Sequence, residues 1–267
     1  MRKYISILNI SLKQEVVYKV NFIMWRVRNI FQIILVFFIW DTVFSNIEGE
    51  LFGYDRAKML TYVFLILLVR AITLSTKAID VAGEISRGEL NNYLARPLNY
   101  IYYWLSRDFS TKILNLIFAI VETTVLYAII RPPFFLQTGI LELTLFFVSL
   151  ALSALLYFFI TFLVSMIPFW VPEAALGFHF VFTLVFGNFF SGAFFPIDVL
   201  PQIFQKIISL TPFPYLVFYP IQIYLGNISG FEALKILGII IVWIMISLFV
   251  LSKVWKNGLK VYGAYGR

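Results

Sequence analysis

Six stretches of the chain are long and almost free of charge: about 24–44, 59–80, 112–131, 140–167, 173–195 and 233–252. Each has about the 20 apolar residues a helix needs to cross the hydrocarbon core of a bilayer. Lipid offers no partner to backbone N–H and C=O groups, so the pattern predicts helices rather than strands. Ahead of them Ile5, Leu8, Leu12, Val16 and Val20 recur at three- and four-residue spacing, with Lys13 and Lys19 between. That rhythm predicts an amphipathic helix over 1–22 lying along the membrane surface. Charges are spread through it and no small-residue cleavage site follows, which reads against a cleavable signal peptide. No repeat relates the two halves. The expected fold is an all-α integral membrane protein of six transmembrane helices, one domain over 1–267.

Composition supports this. Only 13% of residues are charged and 61% are hydrophobic, too little charge to cover a soluble domain. The net charge of +7 matters through where the cations lie. Six precede or open the first span (Arg2, Lys3, Lys13, Lys19, Arg26, Arg28), five lie between the second and third (Lys77, Arg87, Arg96, Arg107, Lys112), and four follow the last (Lys253, Lys256, Lys260, Arg267). The opposite side holds five: Arg56, Lys58, Arg131, Lys206 and Lys235. The positive-inside rule makes the richer side cytoplasmic, with both termini there and the chain in a plasma membrane. With no cysteine, disulfides and thiolate sites are excluded, and one histidine, His179, cannot build the usual zinc site. Neither a metal nor a nucleic-acid partner is expected.

Two segments between spans are long. The cytoplasmic one, 83–104, reads GEISRGELNNYLARPLNYIYYW. Ser86 and Glu89 have capping-box spacing, and Leu90, Tyr93, Leu94 and Leu98 fall on one side of a short helix broken at Pro97. Tyr100, Tyr102, Tyr103 and Trp104 suit a return to headgroup level. Such a helix either rests on the bilayer or docks into a soluble partner, its ridge flanked by Glu84, Arg87 and Arg96. The outer segment, 193–232, is cut by Pro196, Pro201, Pro212, Pro214 and Pro220 yet stays apolar. Two short helices near 199–210 and 214–225 are expected to dip into the outer leaflet without crossing, as a structural cap or as a lid over an exit path.

Gly88-Glu89-Leu90 running into Leu94 and Arg96-Pro97-Leu98-Asn99-Tyr100, then Gly192, Phe195-Pro196, Leu200-Pro201, Pro212-Phe213, Pro220 and Tyr224-Leu225-Gly226, occur in an order that resembles the membrane subunit of a type-2 ATP-binding-cassette exporter. The resemblance covers nearly the whole chain. It implies a bacterial inner-membrane permease paired with a second, identical or related permease. Each permease would bind a cytoplasmic ATP-binding subunit through a coupling helix built from Glu84, Arg87, Glu89, Leu90, Tyr93, Leu94, Arg96 and Leu98. It also implies a re-entrant outer hairpin carrying Pro196, Pro201, Pro212 and Pro220. No G-x-x-x-x-G-K-[ST] occurs, so ATP and Mg would sit on the partner and this chain would bind no cofactor.

Polar residues inside the apolar stretches are few. Counting 1.5 Å per residue up from Asp80 and Lys112 sets Arg70 and Glu122 at matching depth, and an isolated arginine there needs a partner. The two are expected to pair, as a lock between helices or as part of a pathway. Thr183, Gly187 and Ser191, four residues apart, suit a close helix approach within the subunit or, on the family analogy, at a dimer seam. Asn29 and Gln32 share a face of the first span. His179 reads as a packing residue. An ion- or proton-coupled carrier using Arg70 and Glu122 is the competing function. An intramembrane enzyme is weaker, since neither G-x-S-x-G nor H-E-x-x-H is present.

Overall fold

The computed structural model describes residues 6–12, 19–45 and 49–262. Among these every regular element is helical: α1 (6–12), α2 (Lys19–Ser45), α3 (Arg56–Ile72), α4 (Asp80–Ser86), α5 (Asn91–Leu94), α6 (Tyr100–Ile130), α7 (Ile140–Val164), α8 (Ala175–Val181), α9 (Gln202–Ser209), α10 (Phe218–Tyr224) and α11 (Gly230–Val261). α8 runs straight into a π-helix, Phe182–Phe189. Helix α1 falls in the predicted surface helix, of which Ile5 and Val16 lie outside the described residues, while 19–22 already belong to α2.

Among the described residues four helical stretches are long and apolar enough to span a membrane: Arg26–Ser45, Tyr100–Ile130, Ile140–Phe169 and Gly230–Val261. The other two predicted spans are helical but short. α3 has 17 residues and ends at Ile72, well before the expected 80. Thr73 Oγ1 donates back to Val69 O at 2.8 Å or less (2.7 Å), Ser75 Oγ to Ala71 O, and the chain leaves helical geometry over 73–79. The freed backbone groups are met from α6. Lys112 Nζ donates to Ser75 O, Asp108 Oδ1 accepts from Lys77 N at 2.8 Å, and Asp108 and Lys112 pair at 3.3 Å.

α6 starts earlier than the apolar run suggests. Asn99 caps it by accepting from Tyr102 N at 3.1 Å, two residues after Pro97, so Tyr100 and Trp104 are helix residues. It ends at Arg131, which adopts a left-handed φ of 49° ahead of Pro132 and Pro133. Trp104 is 1% exposed, so it packs within the protein, while Tyr102 of the same group is exposed.

α3 is the centre of the bundle. Met59 to Leu67 are all buried, which is the signature of a helix enclosed on every side. α2 and α6 pack against one flank of it, and α7 and α10 against the other; α11 lies along α7. Gly258 of α11 admits this closeness: a Cβ there would run into the Phe169 ring, whereas one at Gly238 would meet nothing within 4 Å. Gly258→Ala should therefore lower the thermal midpoint in detergent, while Gly238→Ala should leave it unchanged or raise it, since helix propensity favours alanine by up to about 1 kcal/mol in stability. Equal behaviour of the two variants would show that the Phe169 contact does not limit α11 packing.

Candidate functional site

Three groups of polar and aromatic residues stand out, one at each end of the bundle and one within it. At the end of the bundle that carries α4 and α5, α4 stops in a Schellman turn: Gly88, at φ 75°, donates to Ile85 O at 3.2 Å and Glu89 N to Glu84 O at 2.9 Å. Ser86 therefore closes α4 instead of capping a new helix, and its Oγ donates to Pro172 O at 3.0 Å. Glu89 is turned to Arg87, with two hydrogen bonds of 2.8 and 2.9 Å. The predicted capping box is not formed, because the left-handed glycine points Glu89 away from Ser86.

Behind this turn lies a cluster of rings. Tyr100 stacks on Trp255 of α11 at 5.3 Å and 19°, and Tyr93 meets Tyr100 and Tyr103 edge-on or tilted at 5.5 and 5.0 Å. The Arg107 guanidinium lies 4.7 Å from the Trp104 ring. Glu84 is only 6% exposed and accepts from the Tyr100 hydroxyl at 2.6 Å. Burial raises its pKa above the usual carboxylate value, and the hydroxyls of Tyr100 and Tyr93 pull against that rise. Glu84 thus joins the interior and leaves the docking face predicted for it. Leu90 is buried as well, Tyr93 and Leu98 are half-buried, and Leu94, at 46% exposure, faces out beside exposed Arg96. The predicted ridge is split, since α5 is a single turn and cannot hold four residues on one face. Between Leu94, Leu98, Tyr100, Ile101, Trp255 and Lys256 opens a groove of ≈ 370 Å³.

Within the bundle, Glu122 accepts from Arg26 at 3.3 Å, and Arg26 also donates to the carbonyl of Asn115 at 3.2 Å. This corrects the expected Arg70–Glu122 pair. Residues 73–79, most of the stretch between Arg70 and Asp80, are non-helical, so a count at 1.5 Å per residue does not fix the depth of Arg70. Arg70 has no hydrogen-bonding or ion-pair partner among the described residues. Gly187 and Ser191 are also corrected as seam residues. Both are buried within the protomer, where a Cβ at 187 would lie 3.2 Å from Tyr157 Oη and Ser191 Oγ donates to Gly187 O at 2.6 Å. Thr183 is half-buried. His179 is buried and hydrogen-bonded to Ser165 at 2.7 Å, a tie between α8 and the end of α7.

At the opposite end of the bundle a polar latch that sequence reasoning missed holds the proline-rich segment. A tight turn with positive φ at Phe52 and Gly53 delivers Tyr54, whose hydroxyl donates to Asp198 Oδ2 at 2.7 Å. Gln222 of α10 donates to the same oxygen at 2.9 Å and to Tyr54, Asn227 donates to Gln222 at 2.8 Å, and Lys58 donates to Asn227 at 2.9 Å. Tyr62 Oη donates to Gly192 O and Ser153 Oγ to Tyr215 O, at 2.8 and 2.6 Å. Of the four prolines predicted there, Pro196 and Pro201 precede helical turns, Pro212 follows α9, and Pro220 lies in the first turn of α10. Burial pushes Asp198 above the usual carboxylate range, against the pull of its two donors.

These features define a multi-pass helical membrane protein with a cluster of packed rings at one end of the bundle and a hydrogen-bonded, proline-rich segment at the other. The chain belongs to the ABC-2 family of transporter proteins, whose family model matches residues 30–266. It is a permease subunit of an ATP-binding-cassette transporter, a component that implies an ATP-binding partner and is not itself the catalyst. No curated protein matches it.

A carboxylate whose folded pKa is raised stabilises most below its unfolded value of about 4 and progressively less as pH rises through the folded value. The thermal midpoint of the wild type should therefore fall, relative to Asp198→Asn, as pH is raised from about 4. Parallel profiles for the two proteins would show that the latch does not titrate.

Proposed function

We propose that this chain is the translocating half of an ATP-driven exporter, working beside a second permease in a bacterial plasma membrane with both termini cytoplasmic. In this reading α3 and the α8–π segment complete six crossings, their short helices extended by the irregular chain at 73–79 and 190–197. Such backbone is tolerated at membrane depth where protein covers it. The observation that carries the coupling role is the cytoplasmic platform. Leu94, Arg96 and the Arg87–Glu89 pair face outward beside an open groove, while the rings of Tyr93, Tyr100, Trp104 and Trp255 brace that face against α6, α7 and α11. Movement of an ATP-binding subunit against this face is passed to the long helices without first deforming a soft loop. ATP and Mg stay on that partner.

The outer segment fits a cap seated in the outer leaflet. Ile203, Phe204, Ile207 and Leu210 of α9 are all exposed, which water would penalise and lipid would not. The carrier alternative loses its central device, because Glu122 is engaged by Arg26.

A tagged chain purified from its native host in mild detergent should bring down a soluble ATPase in fixed ratio. Leu94→Asp should lower that recovery about tenfold while leaving the thermal midpoint unchanged, since the side chain is exposed. Recovery of the wild-type chain alone from intact membranes would sink the coupling proposal.

A further inference from the structure

Arg70 occupies the last turn of α3, half-buried, where the helix gives way to the irregular chain at 73–79. No hydrogen bond, ion pair or ring contact reaches its side chain among the described residues. The neighbouring carboxylates are engaged elsewhere: Glu122 with Arg26, and Asp108 with Lys112 and the Lys77 amide. The ionisable groups close enough to act on Arg70 are Arg28, a second cation, and Tyr157. Tyr157 is buried on α7, with its hydroxyl toward Gly187. Asn29, next to Arg28 on α2, holds its amide oxygen buried without a donor. An arginine at the margin of the hydrocarbon, with another cation nearby, calls for an anion, and the planar guanidinium suits phosphate or carboxylate in two-point contact.

The surface above this position has a matching character. Arg28, Phe31, Leu35 and Phe38 recur along one face of α2, and all four are exposed. A charged headgroup at the bottom and hydrocarbon above is the profile of a single-headed amphiphile standing in the inner leaflet.

We propose that Arg70, with Arg28 beside it, binds the anionic headgroup of an amphipathic molecule whose hydrocarbon lies along the Phe31–Leu35–Phe38 face of α2. As the place where an exported compound is first held, the site rests on the export reading; as an anion site it does not. Its occupant is either a transported phosphate- or carboxylate-bearing amphiphile or an anionic phospholipid of the bilayer, two sources of one chemistry.

The test is performed on the full chain in nanodiscs of phosphatidylcholine, with energy transfer from tryptophan to a pyrene-labelled phosphatidate or a pyrene-labelled phosphatidylcholine. The wild type should bind the phosphatidate probe about tenfold more tightly than the choline probe. Arg70→Gln should abolish most of that preference and Arg70→Lys should keep part of it. Arg28→Gln, at an exposed position, should weaken it as well, and with its thermal midpoint measured alongside it carries the test should the Arg70 variants not fold. An unchanged preference in Arg28→Gln and in whichever Arg70 variants fold overturns the proposal. Replacing half of the phosphatidylcholine by phosphatidylglycerol separates the sources: displacement of the probe assigns the site to bulk anionic lipid, and retention assigns it to a selected amphiphile. Loss of preference in a protein that shows no ATP-driven transport would leave the anion site standing and the export reading refuted. Transport with an unchanged preference in the variants would do the reverse.

Discussion

The bundle depends on how one short helix is ended. α3 is enclosed on all sides, and its inner end unwinds where the membrane interior gives way, leaving carbonyl and amide groups without helical partners. Water is scarce at that level and each unmet group is costly. Lys112 and Asp108, one turn apart on α6, supply a donor to Ser75 and an acceptor to Lys77 while neutralising each other. Asp108 is 1% exposed, so this pair is part of the interior and its charge is tolerated because both ends are engaged. Take it away and α3 loses its lower anchor, and with it the surface on which α2, α6, α7 and α10 are assembled.

The same economy of polar groups organises the two ends. At the outer end a single carboxylate, Asp198, gathers Tyr54 from the turn before α3 and Gln222 from α10, so the proline-broken segment is tied to the central helix rather than floating on it. At the other end Glu84 of α4 does the corresponding work for Tyr100 of α6, within a group of rings that reaches α11.

Much of this was legible in the sequence and some was not, for identifiable reasons. The apolar runs mark where helices form, because lipid-level backbone leaves no other choice, and the motifs around 88–100 and 192–226 lead to the family that the chain belongs to. Helix ends are less visible. Nothing near Thr73 announces that α3 stops there, since the residues that make stopping tolerable are 31 and 37 positions away. Glu84 reads as a surface charge until Tyr100 is seen above it, and Arg26 reads as a headgroup-facing cation although its partner, Glu122, is 96 residues on. The Gly187–Ser191 rhythm was correctly a sign of close approach, but period alone does not say whether the approaching surface belongs to the same chain. The outer latch left no periodic trace at all: Tyr54, Asp198 and Gln222 each look ordinary in their own stretch.

The Arg26–Glu122 contact also bears on what counts as the minimal folding unit. The part of the chain shared with the family begins at residue 30 and contains Glu122, but Arg26 lies four residues upstream of it. A fragment cut at that boundary would carry a carboxylate deep in α6 with its counter-ion deleted. Residues before position 30 thus supply the cation that engages Glu122, and a chimera that exchanges them would keep this ion pair only where the replacement carries a cation at position 26.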